Sequence, residues 1–130
     1  MKLNRRNFIS ASAGIAATIS SPMVFGASRP KVVVIGGGAG GATAARYIAK
    51  DSKGAIDVTL VEPTRSYYTC FFSNLYLGGF RDFDSIGHSY GKLASDFGIN
   101  VVHDWAVDVD SSGKTVSLAG GGTLNYDKLI

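Results

Sequence analysis

The run Lys31-Val32-Val33-Val34-Ile35 passes directly into Gly36-Gly37-Gly38-Ala39-Gly40-Gly41, and no other feature restricts the fold of this 130-residue chain so tightly. A continuous β-branched run fits a parallel strand buried on both faces. Gly36, Gly38 and Gly41 occupy the three positions of G-x-G-x-x-G. In that motif the first glycine permits the tight turn out of the strand. The second lets a pyrophosphate approach the backbone, and the third lets the following helix pack close to the strand. Ala42 to Lys50 reads as that helix, with free N–H groups and a positive dipole end for phosphates, and with the small Ala45 suited to close packing. Asp57 to Glu62 reads as a second strand. Glu62 ends it about 20 residues beyond the glycines, where a carboxylate accepts hydrogen bonds from a ribose 2′-hydroxyl and disfavours a 2′-phosphate. A lone glycine motif is weak evidence; strand, glycines, helix, second strand and terminal acid in this order are not. The expectation is an α/β, Rossmann-like, FAD-binding parallel sheet. Geometry alone does not separate FAD from NAD, but the unit opens the mature chain, which favours FAD.

The head of the chain reads as an address. Asn4-Arg5-Arg6-Asn7-Phe8-Ile9 pairs two arginines with an aromatic and an aliphatic residue, an apolar stretch runs to about Ser20, and Pro22 and the small residues Gly26 and Ala27 follow. This resembles a twin-arginine signal peptide spanning residues 1–27, cleaved after Gly26 or Ala27. Its serines and threonines, and a length below the roughly 20 apolar residues of a membrane span, argue against a permanent anchor. Because the twin-arginine route carries folded proteins, the head predicts a cofactor inserted in the cytoplasm and a periplasmic destination.

The net charge of +3 belongs to that head. Removing Lys2, Arg5 and Arg6 leaves equal numbers of basic and acidic residues, and no basic patch with interleaved aromatics remains, which excludes nucleic-acid binding as a main function. His88 and His103 have no accompanying ligand cluster, so no metal site is expected.

Beyond Gly78-Gly79, Ser85 is a candidate helix N-cap, with Tyr90, Leu93 and Phe97 on one face of a short helix through Asp96 and Gly98 as its stop. Ile99 to His103 reads as a third parallel strand. Ala106 to Val109, Thr115 to Leu118 and Thr123-Leu124 then alternate with the turns at Ser111–Lys114 and Gly120–Gly122, a β-meander or hairpin insertion. Tyr126 to Ile130 ends the chain in a strand-like segment, so residues 28–130 are expected to be the N-terminal part of an FAD-binding domain, truncated before completion. Its unpaired strand edges predict aggregation or poor flavin retention.

Cys70 is the single cysteine. In an exported protein it implies an intermolecular bond, a free thiol or a covalent adduct; the alternative is a buried small apolar side chain. The strand Val33–Ile35, the loop Gly36–Gly41, Glu62-Pro63, Tyr67-Tyr68-Thr69-Cys70 with Ser73-Asn74, His103-Asp104 and Tyr126-Asp127 together resemble the flavoprotein subunit of flavocytochrome c sulfide dehydrogenase. The likeness covers nearly all of the mature segment, with Phe71, Phe72 and above all Trp105 as departures.

The resemblance implies FAD as cofactor, held by Gly36, Gly37, Gly38, Ala39, Gly40, Gly41, Glu62, Pro63 and Val107, with backbone near Ala106-Val107 at the adenine. It implies a thioether from Cys70 to the 8α-methyl carbon of the flavin. About eight extended residues, on the order of 25 Å, carry the chain from Glu62 to Cys70, ample for the span from ribose to flavin ring. Tyr67, Tyr68, Phe71 and Phe72 are expected to wall the ring. The same resemblance implies sulfide as substrate and a c-type cytochrome subunit as partner. The second dinucleotide-like domain and redox cysteine pair would lie beyond this segment, so no catalytic residue is expected within it. Two alternatives stand: a quinone-linked or disulfide-reductase relative with non-covalent FAD, and a non-catalytic flavin-binding module.

Overall fold

A computed structural model describes residues 28–130; the proposed signal peptide lies outside the described residues. Its centre is a four-stranded, all-parallel sheet of order β5-β2-β1-β9, formed by β1 (Lys31–Ile35), β2 (Asp57–Val61), β5 (Asn100–Val102) and β9 (Lys128–Leu129). The continuous aliphatic run does what such a run predicts. Val32, Val33 and Val34 are all buried, with Val32 and Val34 packed on one face and Val33 on the other.

The first face is covered by helix α1 (Ala39–Ser52) and helix α3 (Gly91–Phe97). Ala45 and Ala49 of α1 sit against Val32, Val34, Val58 and Leu60, and their small side chains let the helix approach the sheet. The second face is covered by the expected meander, an antiparallel sheet of β6 (Ala106–Asp110), β7 (Thr115–Leu118) and β8 (Thr123–Asn125). Val116 of β7 packs on Val33 and Val61. The architecture is thus helix, parallel sheet and antiparallel sheet in three layers.

Four local expectations are corrected. Helix α1 begins at Ala39 rather than Ala42, so Gly40 and Gly41 belong to its first turn. Ser85 caps no helix. It lies in a 3-10 turn, Phe83–Ile86, and its hydroxyl donates to the Asp82 carbonyl at 2.6 Å. The residues after it form β4 (Gly87–Ser89), paired antiparallel with β3 (Ser66–Tyr68), and α3 starts only after Tyr90. Three-residue strands are too short to produce a readable alternation.

The last segment does not leave β1 as a sheet edge. Ile35 N–H donates to the Ile130 carbonyl and Ile130 N–H to the Val33 carbonyl, while Lys31 N–H donates to the Asp127 carboxylate at 2.7 Å. The triple glycine Gly120–Gly122 is a hairpin turn, with Gly121 at φ +92° and Leu118 N–H donating to the Gly122 carbonyl.

Candidate functional site

The glycine loop leaves the carboxyl end of β1 and turns at once into α1. Gly36 takes φ +97°, which only glycine adopts without strain. A Cβ on Gly41 would fall inside contact distance of the Gly36 carbonyl oxygen, so the third glycine is fixed by backbone against backbone. At Gly38, the α1 N-cap position, nothing lies within 4 Å of a built Cβ. No side chain caps α1, and its first turn carries no acid. Its leading N–H groups are therefore free to meet an anion above Gly38, the arrangement a pyrophosphate requires.

Gly37 occupies a position that the motif leaves open, yet here it is closed in. A Cβ there would lie 2.6 Å from the Tyr90 ring carbon and hydroxyl oxygen. The Tyr90 hydroxyl donates to the Gly37 carbonyl at 3.0 Å, and Gly37 N–H donates to Glu62 Oε2 at 2.7 Å. The loop is thus held at both of its peptide groups. Tyr90 stays protonated for this: burial raises its pKa above 10.0, the charge of Glu62 adds to it, and the Thr64 hydroxyl acts the other way.

Glu62 follows the end of β2, with its own N–H bonded to the Val102 carbonyl. Oε1 accepts from Thr64 N–H at 3.0 Å and Thr64 Oγ1 at 2.6 Å. Burial pushes its pKa up, but the bonds from Thr64 and Gly37, with the positive potential of His103, outweigh it and hold it below the ordinary 4.5. The carboxylate is ionised at neutral pH, and Oε2 keeps a lone pair for a ribose hydroxyl. Glu62 and Gly36 line a pocket of about 380 Å³ with Pro63, Asp104, Trp105 and Ala106. Val107 is not among its lining residues: it is the extra residue of a bulge in β6 and is 61% exposed. A second cleft of about 460 Å³, bounded by Gly37, Arg46, Tyr67, His88 and Tyr90, lies on the α1 and α3 side.

Cys70 is free and exposed, opening a 3-10 turn (Cys70–Phe72) that runs into the short helix α2 (Ser73–Leu77). It is not the buried apolar side chain of the alternative. Its backbone is fixed while its thiol is open. Buried Thr69 donates its N–H to the Ile86 carbonyl and accepts from Phe71 N–H through Oγ1, and Ser73 Oγ donates to the Cys70 carbonyl at 2.9 Å. The flanking rings differ in their surroundings. Tyr68 stacks on Phe83 at 4.3 Å, Arg81 lies over Phe72 at 4.9 Å, and Phe71 is 69% exposed.

The sequence brings the loop and Glu62 together as neighbours but gives no sign of Tyr90, and little of Thr64, as their supports. Glu62-x-Thr64, a short acid–hydroxyl pair just past a strand, is the one local signal that pointed to such a support. Among the described residues no group of three or more His, Cys, Asp and Glu side chains is placed to hold a metal ion. No described helix is long and apolar enough to cross a membrane.

Comparison with known proteins agrees with this geometry. Over a stretch of 44 residues the chain is 54% identical to the flavoprotein chain of the flavocytochrome c sulfide dehydrogenase of Chlorobaculum thiosulfatiphilum, 34% of this chain against 90% of that sequence. It is 33% identical over 101 residues to the sulfide-quinone reductase of Aquifex aeolicus, 76% of this chain but 23% of that protein. The solved sulfide:quinone oxidoreductase of Aquifex aeolicus superimposes with a TM-score of 0.65 at 28% identity, covering 77% of this chain and 23% of that one. An NAD-dependent persulfide reductase from A. fulgidus superimposes at 0.63 with 31% identity, 76% of this chain and 20% of that one. The chain therefore spans about a quarter or less of the full-length relatives it matches. Residues 30–130 match the family of pyridine nucleotide-disulphide oxidoreductases. With the fold, the glycine loop and Glu62 in the order described above, the chain belongs to the pyridine nucleotide-disulphide oxidoreductase family.

Proposed function

We propose that the chain is the FAD-holding part of an exported, sulfide-oxidising flavoenzyme that passes electrons to a c-type cytochrome, with the flavin attached at Cys70. The observation that carries this reading is the state of Cys70. It is the chain's single cysteine, it is exposed, and it stands on a backbone locked by Thr69 and Ser73, within a segment resembling the flavocytochrome c flavoprotein. An open thiol on a fixed turn suits permanent attachment of a ring, since little side-chain freedom is lost on bonding.

The residues present fit the cofactor. The bare N-terminus of α1 and the open space above Gly38 suit a pyrophosphate. The ionised Glu62 suits an unphosphorylated ribose, and its negative charge repels a 2′-phosphate. Tyr90 holds the loop in shape before ligand arrives, which lowers the ordering cost of binding. When bound, the flavin supplies two-electron acceptance from a sulfur donor and one-electron release to haem. The twin-arginine head supports insertion of cofactor before export and a periplasmic location.

Acid precipitation tests the attachment. Yellow colour that stays in the washed pellet, and is lost from a Cys70→Ser variant, is the expected result. Colour released into the supernatant sinks the covalent reading. Sulfide-dependent reduction of cytochrome c, measured beside reduction of a soluble quinone, tests the acceptor.

The second reading is a quinone-linked relative with non-covalent FAD. The 33% identity to a sulfide-quinone reductase, which extends over 101 residues, favours it. Rapid quinone reduction together with acid-released flavin is its signature.

A further inference from the structure

The sheet order β5-β2-β1 gives a dinucleotide a direction on this scaffold. Its pyrophosphate belongs at the loop after β1 and its ribose at Glu62 after β2. Whatever is attached to that ribose must continue toward the carboxyl end of β5, the next strand outward. Trp105 stands there, three residues past the last residue of β5, and lines the same pocket as Gly36, Glu62 and Pro63. We propose that Trp105 is the platform on which the adenine base stacks, and that it sets the affinity for the AMP half of the dinucleotide. This rests on the dinucleotide reading above.

Two observations carry it. The backbone of Trp105 is anchored on both sides. Its N–H donates to Asp104 Oδ1 at 2.7 Å, and its carbonyl accepts from Ala119 N–H at 2.9 Å. Asp104 is itself tied by Gly120 N–H at 2.9 Å to Oδ2. Despite that anchoring the residue is 65% exposed. A large aromatic surface presented from a rigid base, beside a charged ribose acceptor, offers a π-face and loses little freedom when a base covers it. Ile35, Val61, Pro63 and Ala106 are the apolar walls of the pocket and suit the edge and second face of a purine, while Glu62, Thr64 and Asp104 make up its polar lining. The lone Gly120–Asp104 tie also explains the glycine: a Cβ on Gly120 would lie 2.7 Å from Asp104 Oδ2 and push aside the carboxylate that holds Trp105.

The test uses Cys70→Ser apoprotein, from which flavin is removable whether or not the native protein attaches it, titrated calorimetrically with ADP and with FAD. Trp105→Ala is expected to weaken ADP by about 5- to 150-fold, the range measured for loss of one base–aromatic stack. Trp105→Phe, which keeps a π-face, is expected to stay within about threefold, and Trp105→Leu, which keeps only apolar bulk, to lose as the alanine variant does. Binding of ADP to the Leu or Ala variant within about twofold of the parent overturns the proposal and leaves the dinucleotide reading standing. A parent apoprotein that binds neither ADP nor FAD overturns both. The indole also reports directly, since Trp105 is the single tryptophan of this chain. Its fluorescence should be quenched by ADP and left unchanged by inorganic pyrophosphate, which lacks adenine; equal quenching by pyrophosphate instead counts against the assignment.

Discussion

Replacing Gly37 by Ala is the change on which the structure and the glycine fingerprint disagree most. The fingerprint leaves this position free, and Gly37 does not have a positive φ, so alanine is allowed by its backbone. On those grounds alone the substitution should stabilise by about 0.4–1 kcal/mol, through a less flexible unfolded chain. The packing says otherwise. The new methyl would lie 2.6 Å from the ring and hydroxyl of Tyr90. That ring is only 5% exposed, and it packs against the strand and helix residues of the larger core. It cannot swing into solvent, and its hydroxyl bond to the Gly37 carbonyl would have to break or bend. Overpacking of this kind costs about 1–3 kcal/mol and outweighs the chain-entropy gain. The net expectation is a loss of about 1–2 kcal/mol, or a fall in melting temperature of about 5–15 °C for a domain of this size. Urea unfolding of parent and variant measures it. In a Tyr90→Leu background the methyl has room, so most of the cost should vanish in the double-mutant cycle. A Gly37→Ala protein as stable as the parent, or an equal cost in both backgrounds, would show that the Tyr90 ring does not close this position.

Gly38→Ala should do the reverse: open space around its Cβ leaves stability unchanged, while the methyl enters the phosphate position and weakens dinucleotide binding by about tenfold or more. Unfolding curves and FAD titration of the same preparation separate the two effects. Tyr90→Phe deletes the bond to the Gly37 carbonyl, together with the hydroxyl's interaction with Thr64, and should cost about 0.5–1.5 kcal/mol in urea unfolding. Glu62 gives a pH dependence. Its folded pKa is lowered below 4.5, so its contribution to stability is complete above pH 4.5 and lost as pH falls through the lower folded value. Unfolding free energies measured from neutral pH downward should show this acid-side loss in the parent and a shallower one in Glu62→Gln.

What the sequence made legible, and what it hid, follows from the range of the interactions. Val32–Val34 and the turn at Gly36–Gly38 are specified locally, by side-chain shape and backbone freedom within a dozen residues, and both occur as read, while Gly40 and Gly41 fall in the first turn of α1. Glu62 was legible because the length of one βαβ crossover fixes where the acid falls. Tyr90 was hidden because its role depends on the contact with Gly37, which lies 53 residues away, and no pattern along the chain encodes that contact. Its spacing with Leu93 and Phe97 placed it on one face of a short helix; it stands just before α3 and is buried in the larger core. The β3-β4 ribbon was hidden for the same reason: three-residue strands hold together by pairing Tyr67 with His88, not by any alternation of their own. At Val107 the bulge, which no pattern along the chain encodes, turns one residue out of register, so that Trp105 and Ala106 line the pocket and Val107 does not.

Whether Cys70 carries the flavin is read most directly from one tryptic peptide. Cleavage after Arg65 and Arg81 releases Ser66–Arg81, which contains Cys70 and no other basic residue before its end. This peptide, from protein purified without reducing agent, is expected to absorb visible light and to carry the added mass of one covalently bound flavin nucleotide on Cys70. A colourless peptide of unmodified mass, whose Cys70 is fully alkylated by iodoacetamide, would contradict it.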